Sequence, residues 1–390
     1  MGVKASSHQT EVQAASLDQD SRIVGDAPEV HMQIKRRRMG MWKSLKTGYE
    51  ELVCAIIRPP RATYTQRDLG AAEFSLRGRP FRREDLQVRN SRGLLLECSW
   101  WQPIHYSQEQ LPCVVYMHGN SACRLDALEE LPIILNMGMT MIAFDFAGCG
   151  MSQGDNITLG YNEKDDAAKV VEHLRGSGRV STIALWGRSM GAATALLHGH
   201  RDPSIAAMVL DSPFSSLEQV ARELIDGAQI KHKPAVLINA VLRLLRKTIR
   251  KRTGLDILKL RPIERVGTCF IPALFVAGNE DRFIRPHHAQ DILDAYAGDK
   301  NLVMVDGDHN SARPGYFLDS AAIFFYNRVC VPAGLTEEHL GLRPEAMQPA
   351  APIHAIGMPL GYQSGSAPAA DDHMEDSELQ QVLLMSLSNP

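Results

Sequence analysis

The sequence has no long apolar run and no excess of charge of either sign. No stretch reaches the ~18 consecutive apolar residues that a membrane-spanning helix needs, and residues 1–30 have no apolar segment of the kind that forms a secretory signal. Lys and Arg number 42 against 45 Asp and Glu, which gives a formal net charge of -3. A chain-wide basic field for binding nucleic acid is therefore excluded, and we expect a cytoplasmic protein with no nucleic-acid partner.

Cysteines are few, scattered and odd in number, and none of them stands in Cys-x-x-Cys spacing. They are Cys54, Cys98, Cys113, Cys123, Cys149, Cys269 and Cys330. This distribution argues against both a disulfide framework and a zinc site. The chain does have apolar material, since 44% of its 390 residues are hydrophobic and 22% are charged. That composition suffices for one core of roughly 200–250 residues with extensions at the ends.

The first 80 residues form two different regions. Residues 1–40 mix acids and bases without an apolar period, up to a basic run at Lys35–Arg38, and we expect them to be disordered. Residues 41–80 should hold an amphipathic helix and a linker, because apolar residues recur at steps of three and four until Pro59 and Pro60 end the helix. The apolar positions of this helix are Met41, Leu45, Tyr49, Leu52 and Ile56.

Residues 81–330 carry the pattern of a sheet covered by helices. Two alternating segments between Asp85 and Gln102 flank a turn-forming sequence at 90–93, which predicts an antiparallel hairpin. Short apolar runs then alternate with helical stretches, as in a parallel sheet that is buried on both faces. These runs are Cys113–Tyr116, Thr140–Phe144, Thr182–Trp186, Ala206–Leu210, Ala273–Val276 and Leu302–Val305. The fold class is therefore predicted as α/β, with a mostly parallel, doubly wound sheet that begins with an antiparallel hairpin.

The longest gap between these runs, about 212–269, reads as helical and basic. Eight of its bases lie around Ala235–Leu245, namely Lys231, Lys233, Arg243, Arg246, Lys247, Arg250, Lys251 and Arg252. An insertion at this point of the chain would lie over the ends of the strands, and we predict a helical cap there.

The pentapeptide 187–191, Gly-Arg-Ser-Met-Gly, carries the clearest chemical signal. It follows the apolar run that ends at Trp186 and precedes a helix-forming segment. A nucleophile elbow needs this context, because the chain turns so sharply from strand to helix that the neighbouring side chains must be small. Gly187 and Gly191 supply that room, and Ser189 is the predicted nucleophile.

A serine nucleophile needs a base within hydrogen-bond reach and a group that orients the base. In this class of fold the acid and then the histidine follow the serine at the ends of later strands. Asp281 and His309 occupy those places. Asp211, at the end of the strand after the elbow, is an alternative acid, although an N-cap or a local turn also explains it. Glu280 and Asp308 are further alternatives.

Acyl transfer also needs donors for the oxygen that becomes negative in the tetrahedral intermediate. The backbone amide of Met190, directly after the nucleophile, is one candidate. The second is the amide of Asn120, in the turn 118–120 that follows the first parallel strand. An ordinary strand-to-helix turn is the alternative explanation for residues 118–120.

These motifs resemble the α/β-hydrolase superfamily over about Phe81 to Arg328, and most closely a serine-aminopeptidase-like branch related to depalmitoylases and acylglycerol lipases. The similarity is carried by residues 113–121, 185–191 and 307–311. It implies an α/β-hydrolase fold and a serine hydrolase with no cofactor and no metal. The expected substrate is a small-molecule or lipid-like carboxylic ester or thioester, or an acylated protein. Peptide cleavage by the same triad is one alternative, and a noncatalytic adaptor is another.

The amino-terminal sequence meets the spacing for N-myristoylation of Gly2. One acyl chain holds a protein at a membrane only marginally, so a second signal is needed. The bases at Lys35–Arg38 would supply attraction to an anionic membrane surface. Peripheral membrane attachment is thus an alternative to a solvated basic arm.

Residues 331–370 are rich in Pro, Gly, Ala and Ser and are expected to be a disordered linker. Residues 371–390 begin acidic and continue as a short apolar helix that resembles a ubiquitin-interacting motif. The positions that would contact ubiquitin are Leu379, Val382, Leu383 and Ser386. Val382 stands where that motif usually has alanine, and its bulk opposes close approach. Docking of this helix on the protein's own hydrolase domain is the alternative.

Overall fold

The computed structural model describes residues 46–105, 110–227, 235–329 and 331. The predicted arm at 1–40 and the predicted segments at 332–390 lie outside these residues. Predictions about Gly2, Leu379, Val382, Leu383 and Ser386 therefore stay predictions.

A nine-stranded sheet runs through the described part of the chain in the order β1-β2-β3-β5-β4-β6-β7-β8-β9. The strands are β1 Glu73–Leu76, β2 Arg79–Arg89, β3 Leu95–Pro103, β4 Leu111–Met117, β5 Thr140–Phe144, β6 Val180–Arg188, β7 Ala207–Asp211, β8 Ala273–Gly278 and β9 Lys300–Val305. Strands β1 to β3 pair antiparallel, as do β3 and β5, and every pair among β4 to β9 is parallel. The predicted hairpin and the six predicted parallel strands are confirmed.

The sheet begins earlier than the boundary predicted at residue 81. Strand β1 lies inside the segment predicted to be a helix and linker, and its four residues pair with the start of β2. Phe74 of β1 stacks on Phe81 of β2, with ring centroids 5.8 Å apart. So short a strand carries little pattern of its own, because cross-strand contacts provide most of its stability.

Helices cover both faces of the sheet. The first helix, α1, contains residues 48–57. The others are α2 Leu131–Asn136, α3 Glu163–Gly176, α4 Met190–Gly199, α5 Leu217–Gly227, α6 Ala235–Thr253, α7 Ile263–Val266, α8 His287–Ala295 and α9 Gly315–Tyr326. Two 3-10 helices add Gln66–Leu69 and Arg124–Leu128.

Alternate residues of the strands point into two separate apolar cores. Val115 and Leu185 pack with α3, α4, α7 and α8 on one face, while Val114 and Trp186 pack with α2 and α9 on the other. Burial on both faces explains why these strands read as continuous apolar runs. The doubly wound architecture is therefore confirmed.

A third apolar cluster joins α1 to helices of the segment predicted as a cap. Leu52, Val53 and Ile57 of α1 are buried against α5 and α6, while Tyr49 and Ile56 are only partly buried. The buried face of α1 is thus rotated from the one predicted, because Val53 and Ile57 were not on it. No helix among the described residues has the length and apolar character to span a bilayer.

Candidate active site

Ser189 lies at the sharp turn between β6 and α4. Its backbone has φ 52° and ψ −111°, a conformation that non-glycine residues rarely adopt. A Cβ at Gly187 would overlap the Gly191 carbonyl, and a Cβ at Gly191 would overlap the carbonyl oxygen of Met117. The Ser189 amide donates to the Asp211 carbonyl oxygen at 2.7 Å, which ties the turn to the neighbouring strand. Both glycines are therefore required by the close approach of backbone to backbone.

Ser189, His309 and Asp281 form one hydrogen-bonded array. Nε2 of His309 lies 3.0 Å from Oγ of Ser189, and Nδ1 of His309 lies 2.7 Å from Oδ2 of Asp281. A carboxylate can only accept, so Nδ1 carries the proton and Nε2 is left to accept from the serine hydroxyl. This arrangement is the one in which an imidazole can take the serine proton.

The loop after β8 holds the Asp281 carboxylate in one orientation. Its second oxygen, Oδ1, accepts from the backbone amides of Phe283 and Ile284 at 2.9 and 2.7 Å. The Asp281 side chain is fully buried, whereas 11% of the His309 side chain is exposed. The Phe283 ring packs beside the imidazole, with centroids 5.1 Å apart. The carboxylate is thus shielded, while the imidazole keeps an opening toward the surface.

Two of the alternative acids, Asp211 and Asp308, are engaged elsewhere. Both Asp211 oxygens accept from the Arg313 guanidinium at 2.8 Å. Oδ1 of Asp308 accepts from the amides of Asn310 and Ser311 and from the Ser311 hydroxyl. Among the described residues, Asp281 is the only carboxylate hydrogen-bonded to His309.

The turn 118–120 lies directly against the elbow. A Cβ placed on Gly119 would be 3.8 Å from the Ser189 Cβ. Among the residues that the structure describes, neither the Asn120 amide nor the Met190 amide has a hydrogen-bond acceptor. Two amides without acceptors beside a serine hydroxyl can receive a developing oxyanion.

His118 orients the peptide that carries the Asn120 amide. Its buried imidazole accepts from the Phe146 amide at Nε2, at 3.1 Å, so that Nδ1 donates to the Gly119 carbonyl at 2.7 Å. The Gly119 carbonyl and the Asn120 amide belong to one planar peptide and point in opposite directions. Because His118 holds the Gly119 carbonyl in one orientation, the Asn120 amide is held in one orientation as well. Sequence reasoning missed this role, because a histidine in a turn has no sequence signal for it.

We expect His118→Ala to lower kcat by roughly 10- to 100-fold with little change in KM, because loss of a complete oxyanion donor costs about 100- to 1000-fold. His118→Asn keeps a donor near the Nδ1 position and should lose less. Steady-state kinetics of both variants test this expectation. If both variants lost the same activity, and that loss matched their loss of folding stability, the expectation would be contradicted.

A buried ionic network supports the loop that carries His309. Arg313 binds Asp211 and also donates to the carbonyls of Asp308 and Ser311, and Arg188 donates to the carbonyls of His309 and Ser311. Burial acts to raise the pKa of Asp211, but Arg313 and Arg188 outweigh it and hold that pKa below its ordinary value. The network was not predicted, because Arg313 and Asp211 are 102 residues apart in sequence.

Comparison with known proteins identifies relatives of this chain. Residues 112–253 match the family described as serine aminopeptidase, S33. The uncharacterized protein Rv2307c of Mycobacterium tuberculosis is 31% identical over 230 residues, which are 58% of this chain and 72% of that protein. The chain belongs to the α/β-hydrolase superfamily. This α/β-hydrolase is also 27% identical to the uncharacterized protein YqkD of Bacillus subtilis over 201 residues. The match covers 50% of this chain and 64% of YqkD, so the chain spans just under two thirds of that relative's length.

The solved structure of the Pyrococcus furiosus esterase Pf2001 has the same fold. It aligns with a TM-score of 0.54 over 70% of this chain and 99% of its own, at 20% identity. As in other α/β-hydrolases, the candidate site lies at the carboxyl ends of the parallel strands, where β4, β6, β8 and β9 end. A separate group of possible metal ligands, Glu223, His287 and His288, lies outside the array.

Proposed function

We propose that this α/β-hydrolase cleaves a carboxylic ester or thioester through an acyl-enzyme intermediate on Ser189. The observation that carries the proposal is the hydrogen-bonded array, with 3.0 Å between Ser189 and His309 and 2.7 Å between His309 and Asp281. A hydroxyl is a weak nucleophile at its ordinary pKa, and a hydrogen-bonded imidazole is what activates it.

In the first half of the reaction, Oγ of Ser189 attacks the acyl carbon while its proton passes to Nε2 of His309. Asp281 stabilises the imidazolium, and the amides of Asn120 and Met190 receive the oxyanion. The intermediate collapses when the bond to the leaving oxygen or sulfur breaks, and His309 returns the proton to that atom. The alcohol or thiol then leaves.

In the second half, water attacks the acyl carbon and gives one proton to His309. The tetrahedral intermediate expels Ser189, which regains that proton, and the carboxylic acid is released. The chain's own groups thus account for every proton, and no cofactor is required. The Phe283 ring beside His309 gives the site an apolar wall, which suits a lipid-like acyl group.

Peptide hydrolysis is the second candidate, because the matching family is described as serine aminopeptidase. The same array would serve, with His309 protonating a leaving amine instead of an alcohol or thiol. Adaptor function without catalysis is a third reading, which an intact array disfavours.

A substrate panel distinguishes these candidates. We expect the protein to hydrolyse p-nitrophenyl esters of graded acyl length and S-acyl thioesters, and to leave aminoacyl p-nitroanilides at the background of the Ser189→Ala variant. Ser320→Ala, which alters an exposed serine on α9, is the matched control and should retain full activity. Faster turnover of the anilides would assign the site to peptides, and turnover of none of these substrates would favour the adaptor.

A further inference from the structure

Two histidines and a glutamate meet where α5 faces the start of α8. Nε2 of His287 lies 2.9 Å from Oε1 of Glu223, and Nε2 of His288 lies 3.5 Å from Oε2 of the same carboxylate. One ligand atom from each residue falls within 4.8 Å of the others. The site thus gathers two imidazole nitrogens and a carboxylate around a common point.

The buried members of this group are not satisfied within the described protein. The His288 side chain is fully buried, and neither its Nε2 nor Oε2 of Glu223 has a hydrogen-bond partner among the described residues. Buried polar atoms without partners are uncommon and costly. A neutral imidazole has the lone pair that a metal ion requires.

The other ring nitrogen of each histidine, Nδ1, also has a hydrogen-bond partner. Nδ1 of His287 lies 3.3 Å from Oδ2 of Asp291. Nδ1 of His288 lies 2.7 Å from the Ser215 hydroxyl and also accepts from the Ser215 amide at 3.4 Å. A metal-binding histidine commonly donates its other ring N–H to a carboxylate or a similar acceptor, which sets its tautomer and direction. For His287 this tautomer leaves Nε2 free to bind a metal. At His288 the Ser215 amide favours the tautomer with the proton on Nε2, so metal binding would move that proton to Nδ1, which would then donate to the Ser215 hydroxyl.

We propose that Glu223, His287 and His288 bind one zinc ion, with water as the fourth ligand. Zinc takes nitrogen and oxygen donors at about 2.0–2.1 Å in tetrahedral sites, which puts neighbouring ligand atoms roughly 3.3 Å apart. The separations of 2.9 and 3.5 Å are near that value, but they end on different oxygens of the Glu223 carboxylate, so one imidazole would shift toward the ligating oxygen when the ion binds. His287, with 41% of its side chain exposed, provides the entry path.

One cation already lies near the group. Nε of Arg285 is 3.7 Å from Oε2 of Glu223, and 45% of its side chain is exposed. A bound zinc ion repels this guanidinium, which has room to turn into solvent. Removal of the Arg285 charge should therefore strengthen zinc binding.

The ion would link two parts of the hydrolase. Glu223 lies on α5, inside the segment predicted as a cap, whereas α8 begins at His287, six residues after Asp281. Zinc would thus hold α5 to the element that follows the Asp281 loop. The predictions from sequence included no metal, because the ligands are 64 residues apart and no cysteine is among them.

Calorimetric titration of the metal-depleted full-length protein with Zn²⁺ tests this site. We expect one equivalent to bind to the wild type, and Asp291→Asn to weaken binding by roughly 10- to 100-fold. Loss of a direct ligand in Glu223→Gln or His287→Gln should weaken it further. His173→Ala, which removes an exposed histidine of α3, is the matched control and should bind as the wild type does.

Cobalt substitution gives a second readout, because tetrahedral Co²⁺ absorbs strongly in the visible range. The wild type, His173→Ala and Arg285→Ala should show these bands, and Glu223→Gln and His287→Gln should lose them while keeping the wild-type circular dichroism. Zn²⁺ affinity that is equal in the wild type and in both ligand variants would overturn the proposal.

Discussion

Ser189→Ala is expected to lower kcat for ester hydrolysis by roughly 10⁴- to 10⁶-fold and to leave the fold intact. Removal of Oγ removes the atom that would form the acyl-enzyme, while the strained turn, the two elbow glycines and the oxyanion amides stay in place. Steady-state kinetics on the best ester of the panel measure the loss. Residual activity should come from the amides of Asn120 and Met190 alone.

The partners of Ser189 should act as a unit with it. We expect His309→Ala to cost about as much as Ser189→Ala, and the double variant to cost no more than either one, because the three groups serve one proton transfer. Asp281→Asn keeps a similar shape but removes the charge behind the imidazole, and a loss of about 10⁴-fold is expected. Fully additive losses in the double variant would contradict the proposed mechanism.

Arg313→Met should destabilise the protein by about 3–5 kcal/mol, because it removes the guanidinium that binds the buried Asp211 carboxylate and leaves only Arg188, 4.0 Å away, as a counterion. The side chains of Arg313 and Asp211 are only 1% and 2% exposed, and two hydrogen bonds of 2.8 Å join them. Urea unfolding at neutral pH measures the change. Introducing Asp211→Asn beside Arg313→Met should recover part of the loss, since a neutral amide then replaces the buried carboxylate.

The pH dependence of this variant follows from the lowered pKa of Asp211. In the wild type the folded-state pKa lies below the unfolded value, near 3.9. The stabilisation from the pair is therefore present above the unfolded value and is lost as the pH falls through the folded one. The stability gap between wild type and Arg313→Met should consequently narrow in acid. The account would be contradicted if the two proteins had the same free energy of unfolding at pH 7, or if their difference grew at low pH.

The parallel sheet was predictable because its strands, except for the edge strand β9, are buried on both faces. Thr140–Phe144 was predicted with the bounds that the structure has, and the strand before Ser189 was placed with its elbow. The edge strand β1 was missed, because four residues with one exposed face carry too little pattern. The face of α1 was misjudged for a related reason, since contacts with distant helices decide which side is buried.

The candidate site was predictable as far as chain order and strand ends specify it. Ser189, Asp281 and His309 each follow a parallel strand, so the topology brings them to one edge of the sheet. The groups that support them follow no such rule. Arg313 reaches Asp211, and the distant Phe146 amide sets the tautomer in which His118 holds the Gly119 carbonyl, so both depend on packing between elements. No local spacing records such contacts.

Labelling with a fluorophosphonate, followed by peptide mass spectrometry, tests the central claim most directly, because the probe reacts covalently with an activated serine. We predict a single adduct on the peptide that contains Ser189, absent from Ser189→Ala, much slower in His309→Ala and unchanged in Ser320→Ala. An adduct on another serine, or labelling of Ser189 that proceeds equally fast without His309, would contradict the account.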